Sequence, residues 1–124
     1  MAEDEPELLR FYKILLEDLA FEVVTARDGQ ECIEEYVNNL ILAGGVDGNS
    51  SFNLVILDHK MPRMNGMEVA DQIAAKSPPQ KLLMITAYEG FIDLRHKAEN
   101  MKVMPKQFDV DKLVMTIQDL VRDS

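Results

Sequence analysis

Leu54, Val55, Ile56 and Leu57 form an uninterrupted apolar run that ends in Asp58. Successive side chains of a strand face opposite sides of a sheet, so a run without polar alternation must be covered on both faces. That is the situation of an inner strand in a parallel sheet with helices above and below it. Parallel strands cannot be joined by tight hairpins; they need crossover connections, and helices commonly supply them. The rest of the chain has the required alternation. Leu8, Leu9, Tyr12, Leu15, Leu16 and Leu19 recur at helical spacing behind Pro6, which a first helical turn tolerates. A β-branched stretch over residues 21–26 predicts a strand that stops at Asp28-Gly29, and Ile33, Tyr36, Val37, Leu40 and Ile41 predict a second helix. Residues 43–51, with three glycines, predict a loop.

After Asp58 comes the turn-like Met61-Pro62-Arg63-Met64-Asn65-Gly66, then a helix on Met67, Val69, Ala70 and Ile73 stopped near Ser77-Pro78-Pro79. Residues 81–86 predict another apolar strand, residues 91–98 a helix, and residues 102–104 a short strand. Val110, Leu113, Val114, Ile117, Leu120 and Val121 make one stripe of a last helix, with Asp109 as its N-cap. The pattern predicts an α/β fold, a doubly wound parallel sheet with helices on both faces, in a single domain over residues 1–124.

The formal net charge of -9 argues against direct contact with nucleic acid, whose phosphates need Lys and Arg. No apolar run approaches the roughly 18 residues of a membrane span. The opening Met1-Ala2-Glu3-Asp4-Glu5 reverses the basic-then-apolar order of a signal peptide. Cys32 is the single cysteine, so no internal disulfide can form. These features lead us to expect a cytoplasmic protein.

Ligands of open parallel sheets bind at the carboxyl ends of the strands. Here one strand ends in Asp58, another in Thr86, a third runs into Pro105 and Lys106, and Glu3-Asp4-Glu5 stand before the first helix. Clustered carboxylates repel one another unless a cation neutralises them, and oxygen ligands suit Mg2+. A carboxylate can attack phosphorus, and a metal ion, an ammonium and a hydroxyl can stabilise the phosphoryl charge. Taken singly, each residue is ordinary: a turn-forming Asp, a turn Thr, a solvated Lys, acidic residues at a helix start. Their joint occurrence at strand ends is what points to chemistry.

At these positions the sequence resembles the receiver domain of two-component response regulators. Asp4 to Arg10 resembles the family's acidic turn and first helix, and Val23 to Gly29 its second strand and turn. Leu54 to Gly66 is the most specific match: the phospho-acceptor Asp ahead of a Met-Pro-x-Met-x-Gly turn. Ile85-Thr86-Ala87 and Pro105-Lys106-Gln107-Phe108-Asp109 match the later strand ends. The resemblance implies a flavodoxin-like sheet of strand order 2-1-3-4-5. It implies Asp58 as phosphoryl acceptor. Mg2+ (or Mn2+) would be held by Glu3, Asp4 (the more direct of the pair), Asp58 and the backbone carbonyl of Lys60. Thr86 would bond a phosphoryl oxygen, and Lys106 would pair with its charge. The donor would be a histidine kinase or phosphotransfer protein. The output would be a change in the face from Phe91 to Ser124, read by a downstream protein target or by a second copy in a homodimer. Such a protein is no turnover enzyme; it takes up the group and slowly loses it.

Several departures from the family carry expectations of their own. The family places an apolar strand before the acidic pair, at the centre of the sheet, whereas only Met1 and Ala2 precede Glu3. That first strand is therefore expected to be missing, through truncation, a mis-assigned start, or supply by a partner. About five buried apolar side chains at roughly 1.5–3 kcal/mol each amount to about 10 kcal/mol, comparable with a whole domain's net stability of about 5–15 kcal/mol. Glu3 replaces the commoner Asp, Gln107 the usual Pro, and Val103 a common aromatic switch residue. The loop over residues 43–51 reads as a tolerated insertion. His59 is expected at the edge of the site, influencing access or kinase fit, because strand alternation would turn it away from Asp58. His96 reads as solvated and Cys32 as a small buried hydrophobe. Two rivals remain: a pseudo-receiver acting as a phosphorylation-independent interaction module, and an aspartyl-phosphate phosphohydrolase. Lys60 stands where the latter needs its second acid.

Overall fold

The computed structural model of the protein describes residues 1–42, 52–87, 100–106 and 109–122. Helix α1 (Pro6–Asp18) is followed by α2 (Gly29–Leu42), β1 (Val55–Asp58), α3 (Gly66–Lys76), β2 (Leu82–Thr86), β3 (Met101–Pro105) and α4 (Val110–Arg122). The strands form one parallel sheet in the order β1-β2-β3, with Asp58 opposite Ile85 and Thr86 opposite Pro105. Every residue of β1 and β2 is buried, as their unbroken apolar character requires. Strand alternation sends Leu57, Leu82 and Met84 into one core with Tyr36 of α2 and Val69 and Ile73 of α3. It sends Ile56, Leu83 and Ile85 to the other face, against Tyr12 and Leu16 of α1 and Leu113 and Ile117 of α4. The loop at 43–51, the helix expected over 91–98 and Gln107 lie outside the described residues.

Helix starts follow local chemistry. Pro6 sits in the first turn of α1. Asp28 Oδ1 accepts from Glu31 N–H at 2.9 Å ahead of α2. Asn65 and Glu68 form a reciprocal capping box on α3. Asp109 Oδ1 accepts from Lys112 N–H at 2.7 Å, so the N-cap expected from the sequence is in place.

The beginning of the chain differs from expectation. Ala2, fully buried, makes parallel bridges to both Ala26 and Leu57. Its N–H donates to Ile56 O at 2.9 Å, and its carbonyl accepts from Asp58 N–H at 3.0 Å. On the other side Ala26 N–H donates to Met1 O at 2.8 Å and Glu3 N–H to Ala26 O at 3.1 Å. Met1, Ala2 and Glu3 thus insert as a stub between Ala26 and β1, in the central position where a first strand was expected to be missing. The extended segments lie side by side as 26, 2, β1, β2, β3. The strand expected over residues 21–26 shrinks to the single bridge at Ala26. A ladder needs a partner along its length, and the stub offers one only at its end.

Candidate functional site

Four chain segments meet at the carboxyl edge of the sheet. The stub delivers Glu3 and Asp4, β1 ends in Asp58, β2 ends in Thr86, and Lys106 follows β3. Oxygens of Glu3, Asp4 and Asp58 lie within 4.8 Å of one another. Glu3 and Asp58 are each 2% exposed, whereas Asp4 is exposed. Lys106 Nζ lies 3.3 Å from Asp58 Oδ2. Its backbone N–H donates to Thr86 O at 2.6 Å, which ties the Lys to the end of β2.

The electrostatics of this group are unbalanced. Burial, then a hydrogen bond with Asp58 and the Asp58 charge, push the Glu3 carboxyl up to about 8. Burial works against the charge of Lys106, but the attraction of Asp58 and then Glu3 outweighs it, so its pKa is raised. One ammonium therefore faces three carboxylates, and the most deeply set pair is eased only when Glu3 holds a proton. A hard divalent cation would serve the same purpose, and oxygen donors from two buried and one exposed carboxylate suit Mg2+. The residues present fit such an ion. Glu3 shares a hydrogen bond with Asp58, and Asp4 is the exposed member of the trio. No hydrogen bond among the described residues uses the Lys60 carbonyl, so it is open to a ligand role.

Two details were not legible from spacing. Thr86 Oγ1 lies 3.0 Å from His59 Nδ1, so His59 reaches the neighbouring strand end. The ladder runs one residue past β1, since the His59 N–H donates to Ile85 O at 2.8 Å, so alternation turns His59 away from Asp58 and onto the sheet face it shares with Thr86. Gly66 N–H donates to His59 O at 2.8 Å, and a Cβ on Gly66 would lie 2.5 Å from Asp58 O and 2.7 Å from Met84 Sδ. The glycine of the turn is thus required by close approach to the backbone of Asp58. Val103 is partly buried against the core on the α2 and α3 side.

Residues 1–118 match the family model described as response regulator receiver domain. The transcriptional regulatory protein CpxR homolog of Haemophilus influenzae is 30% identical over 128 residues, covering 100% of this chain and 50% of that protein. Response regulator ArlR of Staphylococcus saprophyticus is 28% identical over 126 residues, covering 98% of this chain and 51% of ArlR. The chain therefore spans about half the length of these relatives. Among solved structures, response regulator TrrA from Thermotoga maritima in complex with Mg(2+)-BeF superposes with a TM-score of 0.78 at 29% identity, over 96% of this chain and 94% of TrrA. TrrA in complex with histidine kinase ThkA gives a TM-score of 0.74 at 30% identity, over 96% of this chain and 93% of that one.

Proposed function

This chain belongs to the response regulator receiver domain family, and on that premise we propose that Asp58 accepts a phosphoryl group in a reaction dependent on a divalent metal ion. The observation that carries the reading is the convergence of Asp58 with Glu3 and Asp4 inside 4.8 Å and with Lys106 at 3.3 Å. Glu3, Asp4, Asp58 and the Lys60 carbonyl would hold Mg2+ or Mn2+. The ion, when bound, offsets carboxylate and phosphoryl charge. An Asp58 oxygen forms the new bond to phosphorus as the phosphorus–nitrogen bond of a phosphohistidine breaks, and the departing imidazole takes up a proton. Lys106, already aimed at Asp58 Oδ2, pairs with the phosphoryl oxygens. The Thr86 hydroxyl donates to one of them, with His59 Nδ1 holding its rotamer.

TrrA, whose structures include a Mg(2+)-BeF complex and a complex with a histidine kinase, supports a kinase or phosphotransfer protein as the donor. The chain acts as a reactant and switch, not as a turnover enzyme. Its changed face, from Phe91 to Ser124, meets a downstream protein or a second copy. Among the described residues no helix is long and apolar enough to cross a membrane.

The test is intact-mass analysis after incubation with Mg2+ and acetyl phosphate, with Asp58→Asn alongside. One phosphoryl gain in the parent and none in Asp58→Asn is expected. Labelling that persists in the variant removes Asp58 as acceptor, and no gain in folded parent turns the reading to a phosphorylation-independent interaction module.

A further inference from the structure

Backbone bonds hold both ends of the contact between His59 and Thr86. The His59 N–H donates to Ile85 O at 2.8 Å, and the Gly66 N–H donates to His59 O at 2.8 Å. On the neighbouring strand the Lys106 N–H donates to Thr86 O at 2.6 Å. The register of β1 against β2, carried one residue further, sets His59 beside Thr86 on one face of the sheet. The 3.0 Å between His59 Nδ1 and Thr86 Oγ1 therefore joins two pinned backbones. Thr86 is 1% exposed, so bulk water does not compete for its hydroxyl, and His59 is half-buried. Thr86 also stands at the strand end next to Asp58, and Lys106, bonded to its carbonyl, reaches Asp58 Oδ2 at 3.3 Å.

Hydrogens can run through this pair in two directions. A threonine hydroxyl has one hydrogen and two lone pairs, and a neutral imidazole has one N–H. When the hydroxyl donates to Nδ1, its hydrogen is spent and only lone pairs remain for another partner. When Nδ1–H donates to Oγ1, the hydroxyl hydrogen stays free. A phosphoryl group on Asp58 brings strong acceptor oxygens, which lone pairs repel. The second direction lines up N–H, O–H and phosphoryl oxygen in one chain, where each bond polarises the next.

Resting on the reading of Asp58 as phosphoryl acceptor, we propose that His59 is a positioning residue for phosphoryl uptake. Its Nδ1–H donates to Thr86 Oγ1 and leaves the hydroxyl hydrogen for a phosphoryl oxygen. His59 thus acts through Thr86, although alternation turns its ring away from the acceptor.

The 124-residue chain and its variants are incubated with Mg2+ and acetyl phosphate, uptake is timed by intact mass, and circular dichroism checks folding. His59→Leu removes the donor and should slow uptake about tenfold. His59→Asn keeps an N–H donor at the place of Nδ1, so its rate should stay within about twofold of the parent. Thr86→Val lacks the hydroxyl, and adding His59→Leu to it should change nothing further. In the parent with Mg2+ and beryllium fluoride, nitrogen NMR should show His59 Nδ1 carrying a hydrogen.

The proposal is overturned by a His59→Leu rate equal to or above the parent's, or by a full His59→Leu loss on the Thr86→Val background. A His59→Asn rate as slow as that of His59→Leu, or an Nδ1 without hydrogen, also overturns it. If His59→Leu does not fold, the Nδ1 resonance of the parent decides alone. Absence of uptake by folded parent removes the acceptor reading, and this inference with it. Uptake by the parent together with any of the other adverse results removes the inference alone.

Discussion

Binding of Mg2+ beside Asp58 should expel a proton from Glu3. Burial, and then the hydrogen bond and charge of Asp58, raise the Glu3 carboxyl to about 8. At pH 7 a group of pKa about 8 is about nine-tenths protonated, and a hard cation requires the carboxylate, so binding should release about 0.9 proton per ion. At pH 9 the release should fall to about 0.1 proton, and the affinity should rise about tenfold per pH unit below 8 and level off above it. Titration calorimetry in two buffers of different ionisation enthalpy counts the protons directly. Glu3→Gln keeps the shape and removes the titrating group, so its release at pH 7 should drop close to zero and its pH slope should flatten. An unchanged proton count in Glu3→Gln, or none in the parent at pH 7, refutes placing the proton on Glu3. The same shift has a sign in stability. The folded carboxyl binds its proton more tightly than the unfolded one, so metal-free protein is stabilised most at low pH. That contribution is lost as pH rises from about 4.5 to about 8. Mg2+ should oppose the loss, because it binds the ionised native site.

Lys106→Ala should retain Mg2+ binding yet lose the conformational response to phosphorylation, read as amide shift changes with acetyl phosphate; an unaltered response removes Lys106 from the switch. Leu57→Ala empties a fully buried position at the centre of the sheet, and chemical denaturation should show a loss of about 2–5 kcal/mol. Gly66→Ala places a Cβ 2.5 Å from Asp58 O. Denaturation should report about 1–3 kcal/mol of destabilisation, and phosphoryl uptake should slow because the acceptor strand end is displaced.

The layered fold was readable because its signals are local. The unbroken run ending at Asp58 demands cover on both faces, and both faces are covered. Asp109 and the 110–121 stripe specify a helix and its start within a few residues. The candidate residues were readable for a related reason: strand ends in a parallel sheet share an edge, so Asp58, Thr86 and Lys106 could be brought together by topology alone.

The stub was not readable. Met1 and Ala2 are too few to carry any periodicity, and only the bonds to Ile56, Asp58 and Ala26 give them a place. Likewise the β-branched stretch at 21–26 has the composition of a strand, but a strand exists only where a neighbour pairs with it, and Ala26 alone has one. The contact of His59 escaped because alternation told which way it turns but not that Thr86 stands beside it, which the register of β1 against β2 decides. By itself, then, the sequence determined the layers, the strand ends and the chemical types gathered there, since propensity and burial pattern are properties of neighbouring residues. Tertiary structure alone decided the inward turn of Glu3, the reach of His59 to Thr86 and the seating of Met1 to Glu3 between Ala26 and β1. Each depends on which backbone lies alongside, and pairing between distant segments is written in no single stretch of chain.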